Sequence, residues 1–187
     1  MSEVTAVPLR PIAKGSLVKL WVGVGLIVSV AIGVAVASTA AQVRAAMPPA
    51  EYLAANGKRA GIVTTPTGLQ YQVITEGQGA KATAQEIALV RYDGRFVDGE
   101  SFDSTDQPVP LPVGGMIPGF SEGLQLMNRG SKYRFWIPPE LAYGERGAPD
   151  PRTGELKIPP NSVLVFDVEL VELAPASAMG LPGMGGR

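Results

Sequence analysis

The sequence predicts an α+β domain, an antiparallel sheet packed on one short helix, and three observations lead there. Apolar and polar residues alternate with a period of two in several runs between residues 69 and 170, a single apolar stripe at helical spacing follows Pro118, and turn residues separate the runs. Leu69, Tyr71 and Val73 alternate with Gln70 and Gln72, which predicts an entry strand. Val90 and Tyr92 share a face across Arg91, and Asp98-Gly99 between Phe96 and Phe102 is a turn signal. The helix starts near Pro118, since proline suits a first helical position, and runs to about Met127 with Phe120, Leu124 and Met127 on one side. Tyr133, Phe135 and Ile137 then alternate with Lys132 and Arg134. In the last run Leu164, Phe166, Val168 and Leu170 face one way while Asp167 and Glu169 face the other. Such alternation means a sheet with one packed face and one wet face.

The flanks are of different character. Residues 1–19 are polar, carry Arg10, Lys14 and Lys19, and read as a cytoplasmic segment. Residues 20–43 hold no charge, and an apolar run of this length can cross a hydrocarbon core about 30 Å thick. It reads as a transmembrane anchor or a signal peptide. Ala35, Ala37, Ala40 and Ala41 could satisfy a signal peptidase, but the run exceeds the usual apolar core of a signal, which favours a retained anchor. With three positive residues before the segment and only Arg44 close behind, either reading exports the C-terminal part, to the periplasm of a bacterium. Residues 44–64 form a linker with helical character around Glu51 to Ala60, 65–173 the folded domain, and 174–187 a Gly/Pro-rich tail expected to be disordered.

Composition removes several function classes. The formal net charge of −1 and the lack of a basic stripe argue against nucleic acid as a partner. Without cysteine there is no thiol nucleophile, disulfide or thiolate-bound zinc, and without histidine the usual base of the serine and cysteine hydrolases is missing. Gly119-Phe120-Ser121-Glu122-Gly123 fits the G-x-S-x-G spacing of a nucleophile elbow, yet no imidazole exists to activate Ser121. Gly77-Gln78-Gly79 lacks the third glycine of a dinucleotide fingerprint. Asp93, Asp98, Glu100 and Asp106 read as turn and surface carboxylates, and neither a metal nor a cofactor is expected. By spacing alone Tyr92, Phe102, Ile117, Phe120, Tyr143 and Phe166 are core residues of a small sheet protein.

Five motifs in order change that assessment. They are Tyr92-Asp93-Gly94 with Asp98-Gly99 and Ser101-Phe102-Asp103-Ser104; Val113-Gly114 with Ile117-Pro118-Gly119-Phe120 through Met127; Ala142-Tyr143-Gly144; Ile158-Pro159-Pro160; and Leu164 through Leu170. Over roughly 105 residues this pattern resembles the FKBP-type peptidyl-prolyl cis-trans isomerases. Thr67-Gly68-Leu69-Gln70-Tyr71 is further similar to the entry strand of exported bacterial members, the macrophage infectivity potentiator-like group. That group often carries a long N-terminal dimerisation region, of which only Tyr52 to Ala60 resembles the end, so the dimer is not carried over.

The resemblance implies a five- to six-stranded antiparallel half-barrel wrapped around one helix, with a proline pocket between them. It implies that Tyr92, Phe102, Asp103, Ile117, Phe120, Tyr143 and Phe166 form the catalytic pocket, with Val109, Met116 and Ile158 as further substrate contacts. Phe120 stands as the floor where relatives more often have tryptophan, and Val109 where many have an aromatic. The Ile117 amide would hold a substrate carbonyl, the Tyr143 hydroxyl the substrate backbone, and Asp103 the hydroxyl of Tyr92. The implied partners are proline-containing polypeptides and, through the same pocket, macrolide inhibitors such as rapamycin, for which the long Gly144 to Lys157 loop is a departure. A tethered peptide-binding chaperone or adaptor with little turnover is the alternative, since a fold alone does not settle activity.

Overall fold

The computed structural model describes residues 46–175 together with Val22, Gln42 and Val43. The segments read as 1–19 and 20–43 lie outside the described residues save for those three, as does 176–187. Among the described residues no helix is long and apolar enough to cross a membrane.

Six strands form one antiparallel sheet. They are β1 (Val63–Thr64), β2 (Gln70–Thr75), β3 (Glu86–Arg95), β4 (Ser101–Pro112), β5 (Lys132–Ile137) and, last in the chain, β8 (Leu164–Pro175), in the order β1-β2-β5-β8-β3-β4. A small hairpin of β6 (Ala148–Pro149) and β7 (Leu156–Ile158) stands apart from the sheet. Helix α1 (Pro49–Asn56) precedes the sheet, and α2 (Pro118–Leu126) lies against its packed face. This is the expected α+β arrangement with α1 as a second helix. α2 begins where expected, with Pro118 at its first position and Ile117 as the preceding cap, and it ends one residue early at Met127, which is extended.

The alternating residues meet in one core. Leu69, Tyr133, Phe135, Ile137, Leu164, Phe166, Val168 and Leu170 are buried together with Phe120, Leu124 and Met127 of the helical stretch. The two glycines that imitated a nucleophile elbow are explained by this packing. A Cβ on Gly119 would stand 2.4 Å from the Ile137 side chain, and one on Gly123 would stand 2.9 Å from the Phe135 ring. Four residues apart on one helix face, they let α2 lie directly on β5.

β4 is an edge strand containing Pro108, Pro110 and Pro112. Proline has no N–H for a ladder, so its place in a sheet is where that side faces no neighbour. Between Val90↔Val109 and Tyr92↔Thr105 the register shifts, so β4 bulges around residues 106–108. A bulge bends its strand, and both halves of β4 contribute to the cleft described below.

The other face of the sheet is less wet than the alternation predicts. Gln70 is only 4% exposed because its side chain is taken up by α1: its amide donates to the Leu53 carbonyl (2.8 Å) and accepts from buried Asn56 (2.9 Å). Trp136, the register partner of Gln70, is buried as well. Beyond it charged positions pair across strands, Arg134 holding Asp167 through two bonds of 2.6 and 2.7 Å and Arg91 holding Glu169 at 3.1 Å, while Arg95 holds Asp93 two residues back on β3 itself. Asp93 stands directly opposite Asp167, and its carboxyl lies below the usual carboxylate range chiefly because Arg95 donates to it. β8 continues to Pro175, so Ala174 and Pro175 of the stretch read as tail pair with Ile87 and Glu86.

Candidate active site

A cleft of about 280 Å³ opens between α2 and the β3–β4 end of the sheet. Each wall has a local cause. Tyr92 comes from β3, Asp103 and Leu111 from β4 and Phe166 from β8, turned to the packed face by the alternation, while Phe102, next to Asp103, reaches the same cleft at the register shift opposite Gly94 and Arg95. Gly115, Met116 and Ile117 come from the turn that enters α2, and Phe120 from the first turn of that helix. Tyr143 closes the far side from the loop before Gly144 and is 42% exposed.

The floor is an aromatic cluster in edge-to-face contact. Phe120 and Phe166 rings lie 5.0 Å apart at 72°, Phe102 and Phe166 5.4 Å at 87°, and Tyr92 stands 6.2 Å from both Phe120 and Phe166. Tilted pairs of this kind favour themselves over flat stacking, each worth about 0.5–1.5 kcal/mol beyond the area buried. Behind them Gly94 leaves no room for a side chain, since its Cβ would meet Phe166 at 2.7 Å and Phe102 at 2.8 Å.

Two polar features stand on the rim. The Tyr92 hydroxyl donates to Asp103 Oδ2 at 2.8 Å, which fixes the tyrosine ring along the wall. Burial first, then the bond to the Asp103 carboxylate and its charge, push the Tyr92 pKa up to about 12. The second feature is the Ile117 amide. Ile117 precedes α2 in extended conformation (φ −54°, ψ 144°), its carbonyl accepts from Phe120 and Ser121, and its N–H finds no acceptor among the described residues.

Eight of the ten site residues named from sequence thus line one cleft: Tyr92, Phe102, Asp103, Met116, Ile117, Phe120, Tyr143 and Phe166. Val109 and Ile158 do not. Val109 pairs with Val90 and packs against the core, while Ile158 is 4% exposed within it, under the close approach of Gly147 to its carbonyl. Leu111 and Gly115 were missed. Leu111 shares its face of β4 with Val109, two residues back, so period two could have found it; Gly115 leaves no signal in side-chain pattern. Elsewhere a cleft of about 250 Å³ includes Tyr52, Arg59 and Trp136, but the Arg95–Asp93 and Arg134–Asp167 pairs in it satisfy one another.

With this geometry in place, comparison with known proteins gives the class. The model of the FKBP-type peptidyl-prolyl cis-trans isomerases matches residues 78–171, and that of the domain amino-terminal to such isomerases matches 35–73. The chain belongs to the FKBP-type peptidyl-prolyl cis-trans isomerase family. Among its relatives are the FKBP-type peptidyl-prolyl cis-trans isomerase FkpA of Aeromonas hydrophila and the FKBP-type 22 kDa peptidyl-prolyl cis-trans isomerase of Escherichia coli (strain K12). The first is 48% identical over 133 residues, covering 70% of this chain and 47% of that protein. The second is 46% identical over 126 residues, covering 66% and 58%. The outer membrane protein MIP of Legionella longbeachae is 40% identical over 129 residues, 67% of this chain and 53% of that protein. The crystal structure of FkpA from Escherichia coli superposes with a TM-score of 0.63 at 35% identity, over 88% of this chain and 75% of that one. The chain spans about half the length of the curated relatives it matches.

Proposed function

We propose that this protein accelerates cis-trans rotation of Xaa-Pro bonds in polypeptides by holding the twisted amide in the cleft at Phe120. Rotation is slow because amide resonance must be given up on the way, against a barrier of about 18–20 kcal/mol. In the twisted state the nitrogen loses conjugation and the amide dipole shrinks. Water favours the polar planar form, so a dry apolar cleft favours the twisted one, and this difference is the catalysis. A differential of about 6 kcal/mol yields roughly four orders of magnitude in rate. No proton transfer or covalent step is needed, which suits a chain without histidine or cysteine.

The roles follow from position. The proline ring rests on Phe120 and Phe166, with Phe102 and Tyr92 as walls and Met116 and Leu111 toward the opening. The free Ile117 amide takes a substrate carbonyl, and the Tyr143 hydroxyl reaches the substrate backbone. Asp103 keeps Tyr92 against the wall. What carries the reading is the joining of an aromatic floor to an unpaired amide at the entry of α2. Macrolides that imitate a twisted prolyl amide are inhibitors on the same reading. Residues 20–43 hold the domain at the outer side of a membrane, a reading supported by the uncharged run and the positive residues before it.

The test is cis-to-trans exchange of Xaa-Pro peptides with the full 187-residue chain in mild detergent, beside Phe102→Ala and Asp103→Leu. Acceleration that drops at least tenfold in both folded variants is expected. Equal rates in all three would remove the pocket assignment. Peptide binding without any acceleration would make the protein a tethered peptide-binding chaperone. For the anchor, the protein is expected to stay in the membrane pellet through a high-salt wash; release of a shortened soluble form would show cleavage.

A further inference from the structure

The cleft of about 250 Å³ on the outward face of the sheet lies between α1 and the β3–β4 turn. Its wall carries three arginines and three aspartates, and most of that charge is spent within the wall. Arg95 holds Asp93, Arg134 holds Asp167, and Asp98 accepts from the Glu100 N–H of its own turn at 2.9 Å. Arg59 is the exception. It pairs with no carboxylate among the described residues, and its one side-chain bond there is to the Asn56 oxygen at 3.2 Å. Asn56 is itself buried and donates to buried Gln70 at 2.9 Å, so two enclosed amides fix the exposed guanidinium at the cleft. A second donor stands in the same wall. Trp136 is 4% exposed, yet its indole N–H has no acceptor among the described residues. Of the fully enclosed side-chain polar atoms only the Ser131 hydroxyl lacks a partner there, so the Trp136 N–H keeps an opening to the surface, at the cleft that Trp136 lines. A donor this shielded from water gains by receiving an acceptor. Beside it Tyr52, Phe96 and Val165, all half-buried, supply apolar wall.

We propose that this cleft binds the free C-terminal carboxylate of a polypeptide that ends in an apolar residue. The carboxylate lies on the Arg59 fork and accepts from the Trp136 N–H, while the last side chain packs on Tyr52, Phe96 and Val165. Planar, bidentate recognition is what a guanidinium offers a carboxylate. A phosphate dianion is disfavoured, because it meets Asp93, Asp98 and Asp167 in the same wall with twice the charge. An apolar group alone leaves both donors without an acceptor. The site shares no lining residue with the cleft at Phe120. The inference therefore goes beyond the isomerase reading, and neither stands or falls with the other.

The experiment uses the full chain in detergent with Trp21→Phe, which leaves Trp136 as the single indole, and follows its N–H signal by NMR. The probes are acetyl-leucine, acetyl-leucinamide, acetyl-glycine and inorganic phosphate. Acetyl-leucine should move the Trp136 signal saturably, with a Kd of about 1–10 mM. The amide, which lacks the charge, and acetyl-glycine, which lacks the side chain, should each bind at least about fivefold more weakly, as should phosphate. Arg59→Gln should weaken acetyl-leucine at least about fivefold and leave the amide as it was, and Arg59→Lys, with the charge but not the fork, should fall between. A Trp136 signal that does not move at about 50 mM acetyl-leucine would overturn the proposal. Equal Kd values for the acid and its amide would overturn it too, as would phosphate binding as tightly as acetyl-leucine. An acetyl-leucine Kd unchanged in Arg59→Gln would do the same, since the variant differs only at an exposed side chain and the signal itself reports that the fold around Trp136 is intact.

Discussion

Gly94→Ala puts the smallest possible wedge behind the catalytic floor. The added methyl would lie 2.7 Å from a Phe166 ring carbon and 2.8 and 2.9 Å from two carbons of Phe102. Carbon atoms rest at about 3.5 Å or more, so each ring must retreat by roughly 0.6–0.8 Å. Neither has free space: Phe166 backs onto Phe120 at 5.0 Å, and Phe102 onto Phe96 at 5.0 Å. The displacement is therefore passed into the cleft. Overpacking of this kind costs about 1–3 kcal/mol, a large part of a typical stability of about 5–15 kcal/mol. Urea unfolding should show a lower midpoint with an unchanged slope, since the surface exposed on unfolding is the same. In the peptide exchange assay the folded variant should lose at least tenfold in kcat/KM. A variant that unfolds at a lower urea concentration yet isomerises at the wild-type rate would refute the argument, because it would separate the position of the Phe166–Phe102 pair from catalysis.

Three further changes test other parts of the structure. Gln70→Leu removes one of the two donors to the Leu53 carbonyl, which keeps the Gly57 N–H, leaves the Asn56 amide without its acceptor, and should cost about 1–3 kcal/mol locally; amide exchange in α1 should quicken about tenfold or more while β5 and β8 stay protected, and unchanged α1 protection would show that Gln70 does not hold the helix. Ser131 is fully buried with a hydroxyl that has no partner among the described residues, so Ser131→Ala should leave thermal stability unchanged or raise it; a loss above about 1 kcal/mol would mean that the hydroxyl has a bonded role, such as to an internal water. For pH, turnover should be flat between about pH 6 and 9, since the chain has no histidine or cysteine and Tyr92 titrates near 12. A phenol with a higher pKa folded than unfolded contributes its stability fully below pH 10.0 and loses it as the pH climbs toward about 12. Tyr92→Phe should remove that part of the alkaline loss, and an identical alkaline profile in both proteins would assign it elsewhere.

The sheet and α2 were legible because most of the apolar packing lies on one face of the sheet, against that one helix. Where a strand is packed on one side only, as at Leu164 through Leu170, period two reports the fold directly. Gln70 shows where that rule stops. It sits on the outward face as the pattern says, but α1 ends above it, and a polar residue with an amide is what a helix terminus can use. Nothing in the spacing of 69 to 73 announces a covering helix. β4 was legible only at its start, because three prolines in five residues argue against a strand unless its outer side faces nothing, and edge placement is a property of the whole sheet.

The site divides along similar lines. Tyr92, Phe102, Phe120 and Phe166 are core residues by every measure of pattern, and the structure agrees that they pack like one, in edge-to-face contact with Phe120 2% exposed. What turns this part of the core into a cleft is backbone: the bulge around residues 106–108, the turn Val113–Gly115, and the extended Ile117 before α2. Side-chain periodicity cannot register such features, so Gly115 escaped, while Val109 and Ile158 were named through the family resemblance and pack in the core instead. Asp103 was found because the motif order singled it out, and its meaning depends on absence of a neighbour, which only coordinates supply. A carboxylate beside a paired guanidinium is a structural tie. Asp103 is of another kind: among the described residues its one partner is the Tyr92 hydroxyl, and what it fixes is the wall of the cleft.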